Sequence, residues 1–122
     1  MTGALPLLQG VQVVEFCQVA AGPFCGMLLA DFGAEVIKVE PPEGDAMRLW
    51  PPITQGFSEN FASLNRGKQS ICLDLSRPEA QEVLHRLLAQ ADVLVENFLP
   101  GTMERWGRGY EQPLAQRYPR LV

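Results

Sequence analysis

The stretch VQVVEFCQVAAGPFCGMLLADFGAEVIKV, Val11 to Val39, decides the fold class. Val11 to Phe16 is short, β-branched and apolar, the composition of a parallel strand buried on both faces. Ala20 to Gly33 follows as a helix, with Pro23 near its first turn and Gly33 as its C-terminal stop. Val36 to Val39 is the next strand. Strand, helix and strand within about thirty residues make a βαβ unit, whose crossover is expected to be right-handed. The helix is apolar nearly all round. With so little polar surface it is expected to be buried on more than one side, which a domain of this size could hardly achieve alone.

C-terminal to this unit, Glu40 to Phe57 carries Pro41, Pro42, Pro51 and Pro52 and reads as a long loop, the kind that serves as a lid or a partner contact. A second βαβ unit follows. Ser70 to Leu75 is its strand, and Ser76 is the expected helix N-cap, with Pro78 in the first turn and Glu79 at the capping-box position. Ala80, Val83, Leu84, Leu87, Leu88 and Ala91 then recur on one helical face. His85, the one histidine, lies just off that stripe and reads as a surface residue. Val93 to Val95 is the fourth strand, and Pro100 to Trp106 and Glu111 to Tyr118 read as short helices. Tyr118 to Val122 turns at Pro119 and begins another apolar run. The pattern is an α/β open parallel sheet built from βαβ units and incomplete in this chain, which reads as part of a larger protein.

Composition narrows the function classes. The chain has 122 residues and 13.5 kDa, enough for one small domain. Ten Lys and Arg against fourteen Asp and Glu give a net charge of −4, and 47% of residues are hydrophobic, which argues against both disorder and a nucleic-acid partner. The longest uncharged internal stretch, Phe16 to Ala30, has 15 residues interrupted by Gln18, Gly22, Pro23 and Gly26, so no membrane span is expected. The first 14 residues carry no Lys or Arg, so no secretory or transit leader is read there and a cytoplasmic location is expected. Cys17, Cys25 and Cys72 show no CxxC spacing, so neither a zinc site nor a disulfide framework is suggested, and buried thiols are expected. Charge is uneven: net −5 up to Asn65 and net +1 from Arg66 onward. Arg66, Lys68, Arg105 and Arg108 are therefore the first candidates to meet an anionic ligand.

In open α/β sheets ligands sit beyond the carboxyl ends of the strands, where loops meet helix N-termini. Cys17 to Pro23, Glu40 to Gly44 and Glu96 to Gly101 fall there. A dinucleotide site with Glu40 on a ribose is one reading, but QVAAGPFCG lacks the first two glycines of GxGxxG. A GxxxxGK[ST] phosphate loop is missing as well, and no carboxylate pair has the spacing for acid/base work. Pattern rules alone stop at an α/β domain with a candidate anion site.

Three runs carry the reading further: GPFCGMLLADFGAEVIKVEPPEGD (Gly22 to Asp45), LNRGKQSICLDL (Leu64 to Leu75) and ADVLVENFLPGTMERWGRGYE (Ala91 to Glu111). In order and spacing, over about Leu8 to Val122, the chain resembles the N-terminal region of the family III CoA-transferases, the group that includes formyl-CoA transferase and the carnitine CoA-transferases. The related α-methylacyl-CoA racemases share the fold, but Asn97 and Phe98 in VENF favour the transferases. The resemblance implies a Rossmann-like domain, of which residues 1–122 are the N-terminal part, in a chain that interlocks with a second copy as a homodimer. It implies a coenzyme A thioester as substrate, with acyl-CoA and a carboxylic acid as the reacting pair, and no cofactor or metal.

Residue by residue, Val19, Ala20 and Ala21 match the loop whose backbone lines the CoA thiol end. Leu73 matches a position beside the adenine, Asn97, Phe98 and Leu99 match the loop after the fourth strand, and Arg105 matches a basic residue placed for CoA phosphates. Ala20 stands where formyl-CoA transferase has glutamine, and Pro41 where it has a basic residue, which argues against formyl-CoA or oxalate as substrates. The family's catalytic aspartate, which attacks the acyl-CoA thioester, matches no residue up to Val122, so no catalytic residue is assigned. The alternatives are a racemase or epimerase acting on a 2-methylacyl-CoA, a nucleotide-binding domain, and a non-catalytic fragment that pairs with another subunit.

Overall fold

The computed structural model describes residues 6–105 and 114–122. After a 3-10 turn at Pro6–Leu8, strand β1 (Gln12–Phe16) runs into helix α1 (Ala21–Asp31) and the chain returns as β2 (Glu35–Glu40). A 3-10 turn at Ala46–Leu49, the short strands β3 (Ile53–Thr54) and β4 (Phe57–Ser58), and helix α2 (Glu59–Leu64) lead to β5 (Lys68–Cys72). Then come α3 (Pro78–Gln90), β6 (Val93–Glu96), α4 (Thr102–Arg105) and α5 (Ala115–Arg117). The four longer strands form one parallel sheet in the order β5-β2-β1-β6, the open α/β architecture expected from the sequence.

Alternation along each strand separates two layers. Val14, Phe16 and Val39 face α3 and join Leu84, Leu88 and Ala91 in the larger core, which Met103, Leu114 and Leu121 complete. The expected α3 stripe is borne out, with Ala80, Leu84 and Leu88 buried and Val83 and Leu87 half-buried beside them. On the other face Val13, Ala34 and Val36 form a smaller apolar cluster, flanked by half-buried apolar residues such as Val93 and Val95, and the same layer holds the buried charges Glu15 and Lys38. Helix α1 covers it with Gly22, Pro23, Gly26 and Met27. Its opposite side keeps Phe24, Leu28 and Phe32 open to solvent at 48%, 39% and 37% exposure, so these residues alone do not bury the helix on two sides.

Several expectations need correction. Strand β5 begins at Lys68 and ends at Cys72, earlier than the expected Ser70 to Leu75. Its ladder follows β2 from Val36 beside Lys68 to Glu40 beside Cys72, and the chain turns away once the Leu73 N–H has donated to the Glu40 carbonyl. Arg77, not Ser76, is the N-cap of α3, because the Ser76 N–H and hydroxyl both donate to Asp74 Oδ1 in a local turn. The expected loop after β2 holds a hairpin, turned at Gln55 and Gly56 with φ of 51° and 83°, and the Ser58 hydroxyl accepts from the Phe61 N–H to start α2. Of the three cysteines only Cys17 is buried. His85 is half-buried rather than on the surface, with Nδ1 2.6 Å from the Tyr118 hydroxyl. The expected helices at 100–106 and 111–118 run into residues 106–113, outside the described ones.

Val122 donates to the Asp92 carbonyl and accepts from the Leu94 N–H, so it sits beside Val93 in parallel register, where the sequence places a new strand. Among the described residues no helix is long and apolar enough to cross a membrane.

Candidate functional site

The apolar runs of β1 and β2 are each interrupted by one charge, Glu15 after Val14 and Lys38 between Ile37 and Val39, and the register sets these side by side. Lys38 Nζ lies 2.9 Å from Glu15 Oε2 and 2.9 Å from an Asp45 carboxylate oxygen, and donates to the Cys17 carbonyl at 2.8 Å. Lys68 Nζ, from β5, lies 2.7 Å from Glu15 Oε1 and donates to the Pro23 carbonyl at 2.8 Å. Burial lowers the Lys68 pKa, with Glu15 opposing. Two cations and two anions balance in a layer closed to water, where each would otherwise be strongly disfavoured. Gly22 and Gly26 let α1 approach this layer. A Cβ on Gly26 would fall into the Glu15 carboxylate, and one on Gly22 would overlap the Cys17 side chain.

A third buried carboxylate, Glu40, receives Arg48 through both oxygens at 2.7 and 2.6 Å, the Ser70 hydroxyl, and the Asp45 N–H at 2.8 Å. Burial raises its pKa, but the hydrogen bonds from Arg48, Ser70 and Asp45 outweigh it and bring it to about 2. Glu40 is thus committed to holding the turn after β2. It does not offer its carboxylate to a ribose, which removes the feature that motivated the dinucleotide reading.

The sheet order reverses between β1 and β6, since the chain goes from β1 to β2 to β5 on one side and returns on the other. Ligands of open α/β sheets bind at such a switch point. Here the loop after β1 crosses it. The Asn97 side chain accepts from the Gln18 N–H at 3.2 Å and donates to the Gln18 carbonyl at 2.9 Å. The Cys17 thiol donates to the Val95 carbonyl at 3.3 Å. Burial, with the Glu15 charge, pushes the Cys17 thiol up to about 12, so it stays protonated and is no nucleophile.

Alongside this clamp a cleft of about 310 Å³ opens over the carboxyl ends of β1, β2 and β5. Phe16, Val39, Leu73, Leu75 and Phe98 supply its apolar walls, with Gln18, the turn at 40–43, Asp74 and Ser76 around them. Each of the three loops singled out in the sequence contributes. The loop after β5 beyond Leu73 also contributes, where the sequence pattern places the end of a strand and a helix N-cap.

The sequence-derived site residues divide accordingly. Leu73 and Phe98 meet in the cleft. Val19, Ala20 and Ala21 form the turn into α1, which begins without a side-chain cap. The Asn97 amide is engaged on Gln18. Leu99 is exposed, and Arg105 is exposed on α4 with its guanidinium donating to Thr102 Oγ1 at 3.0 Å, neither of them lining the cleft. Two of the early cation candidates are otherwise occupied, Arg66 by Asp31 at 2.7 Å and Lys68 by Glu15, while Arg108 lies outside the described residues.

An open parallel sheet with an apolar cleft at the carboxyl ends of its strands is a Rossmann-like domain with a candidate ligand site. The sequence matches the CoA-transferase family III model over residues 8–122, and the chain belongs to that family. It is 51% identical over 107 residues to the succinyl-CoA–D-citramalate CoA-transferase of Chloroflexus aurantiacus, covering 86% of this chain and 27% of that protein. It is 47% identical over 120 residues to the succinyl-CoA:mesaconate CoA-transferase of Haloarcula hispanica, covering 94% of this chain and 30% of that one. A crystal structure of a CAIB/BAIF family protein from Brucella suis superimposes with a TM-score of 0.88 at 43% identity, over 98% of this chain and 32% of that one. The chain therefore spans about 30% of the length of the relatives it matches.

Proposed function

We propose that this chain is the N-terminal, CoA-binding part of an enzyme that moves CoA from an acyl-CoA donor to a carboxylic acid. What carries the reading is the apolar cleft where Leu73 and Phe98 meet, beside the clamped loop that leads into α1, in a chain of this family. Apolar walls suit the adenine and the pantetheine arm, and the positive end of α1, at Ala20 and Ala21, suits the polarised thioester end. Among the described residues the cleft's lining has no basic side chain, so the phosphates are assigned outside it, with Arg105 the candidate from the resemblance. CoA enters and leaves as a substrate, and no other cofactor is invoked.

The two relatives described above are named for succinyl-CoA with a dicarboxylic acid, so succinyl-CoA as donor and a dicarboxylate as acceptor are the pair proposed here. The reading extends to a cytoplasmic homodimer and places the covalent step on a carboxylate outside these residues. The test is to incubate the full-length gene product with succinyl-CoA and a panel of dicarboxylic acids and to follow the thioesters by mass spectrometry. Stoichiometric release of succinate with formation of a new acyl-CoA is expected. Exchange of an α-proton without thioester transfer would replace this reading with a racemase.

A further inference from the structure

Val19 has φ +66°. For a β-branched residue this left-handed conformation persists only where its surroundings hold it. Asn97 grips Gln18 from the β6 side, and the opposite grip comes from beneath. Asp45 Oδ1 accepts from the Val19 N–H at 3.2 Å and from the Met47 N–H at 2.9 Å, while Oδ2 lies 2.9 Å from Lys38 Nζ. The same ammonium donates to the Cys17 carbonyl. One buried chain of charge, Glu15 to Lys38 to Asp45, thus holds the loop at both ends, at Cys17 and at Val19. Asp45 is itself fixed, through its own N–H, by Glu40. It is 1% exposed, so any effect on a ligand must pass through the loop.

We propose that Asp45, seated on Lys38, is a positioning residue: it sets the left-handed turn at Val19 and so aims the loop and the start of α1 at the thioester end of the acyl-CoA. This rests on the CoA-transfer reading. Glycine at position 19 would adopt the same φ unaided, which separates this role from that of a residue needed only to balance buried charge.

The experiment compares kcat/KM for acyl-CoA in the full-length enzyme and in Asp45→Ser, Asp45→Asn and the double variant Asp45→Ser/Val19→Gly. Serine still caps the Met47 N–H but is too short to reach Val19, whereas asparagine keeps the acceptor. A misaimed loop is expected to lower kcat/KM about tenfold or more in Asp45→Ser, with Asp45→Asn within about threefold of the parent. Glycine at position 19 is expected to recover most of the loss. If Asp45→Ser does not fold, the double variant still decides: recovery of folded, active enzyme supports the role, and its absence overturns it. Undiminished activity in Asp45→Ser, or a loss that glycine does not relieve, also overturns it. A parent enzyme with no acyl-CoA turnover would instead overturn the CoA-transfer reading, and this role with it.

Discussion

Glu40 is ionised almost without water, because three neighbours supply the donors that water would have provided. Its pKa falls from an ordinary 4.5 to about 2, so the unfolded chain takes up a proton at a higher pH than the folded one. The stability it contributes is fully present above about pH 4.5 and is lost as the pH falls toward 2. The urea midpoint should therefore drop over that window, and drop less in Glu40→Gln, which has no proton to take up; parallel declines would show that the Arg48 and Ser70 contacts contribute nothing. The spacing of Glu40 after β1 suits a ribose partner in sequence alone. Sequence shows that a carboxylate ends β2, but not that Arg48, eight residues on, and Ser70, on the neighbouring strand, close over it.

At the level of the element, α1 is seated on a surface that is apolar only in part: Leu29 and Ala30 pack on the Val13, Ala34 and Val36 cluster, while Gly26 lies over the Glu15 carboxylate. Propensity alone says that alanine at an interior helical glycine should stabilise, by about 1 kcal/mol. At Gly26 the added methyl meets the Glu15 carboxylate, the hinge of two buried ion pairs. Gly26→Ala is expected to destabilise by about 3 kcal/mol, since overpacking and a disturbed buried pair both oppose folding. Cys25→Ala, on the exposed face of the same helix, should stay within about 0.5 kcal/mol of the parent. Chemical denaturation of the two variants checks the contrast, and a stabilised Gly26→Ala would mean that α1 does not lie this close to the sheet. The signal for this seat was present in VVEF and VIKV, each with a single charge of opposite sign in an apolar strand, but only the register between them turns two anomalies into a pair.

For the molecule as a whole, the outer side of α1 is an apolar surface that the described residues leave uncovered. Phe24, Leu28 and Phe32 form an apolar stripe in solvent, and stripes of that kind mark surfaces that another element or chain covers. Residues 1–122 produced alone are expected to self-associate in sedimentation as concentration rises. Phe24→Lys/Leu28→Glu should reduce that tendency without loss of helix content. A concentration-independent monomer with the native residues would show that the stripe needs no cover.

Local patterns alone determined the order of the four sheet strands, the helices α1 and α3 between them and the α3 core stripe, because burial of one face imposes a period that short segments display by themselves. Three of the loops that border the cleft, those after β1, β2 and β6, were also legible, since in a parallel sheet they must lie at the carboxyl ends of the strands. Tertiary structure alone decided which charges are buried, which cations are left for a ligand, and which of the three cysteines is enclosed. It also revealed α2, the hairpin before it and the wall supplied by residues 74–76. These depend on what lies across from a residue rather than beside it, and the alignment of β1, β2 and β5 is set by packing over distances that no local pattern spans.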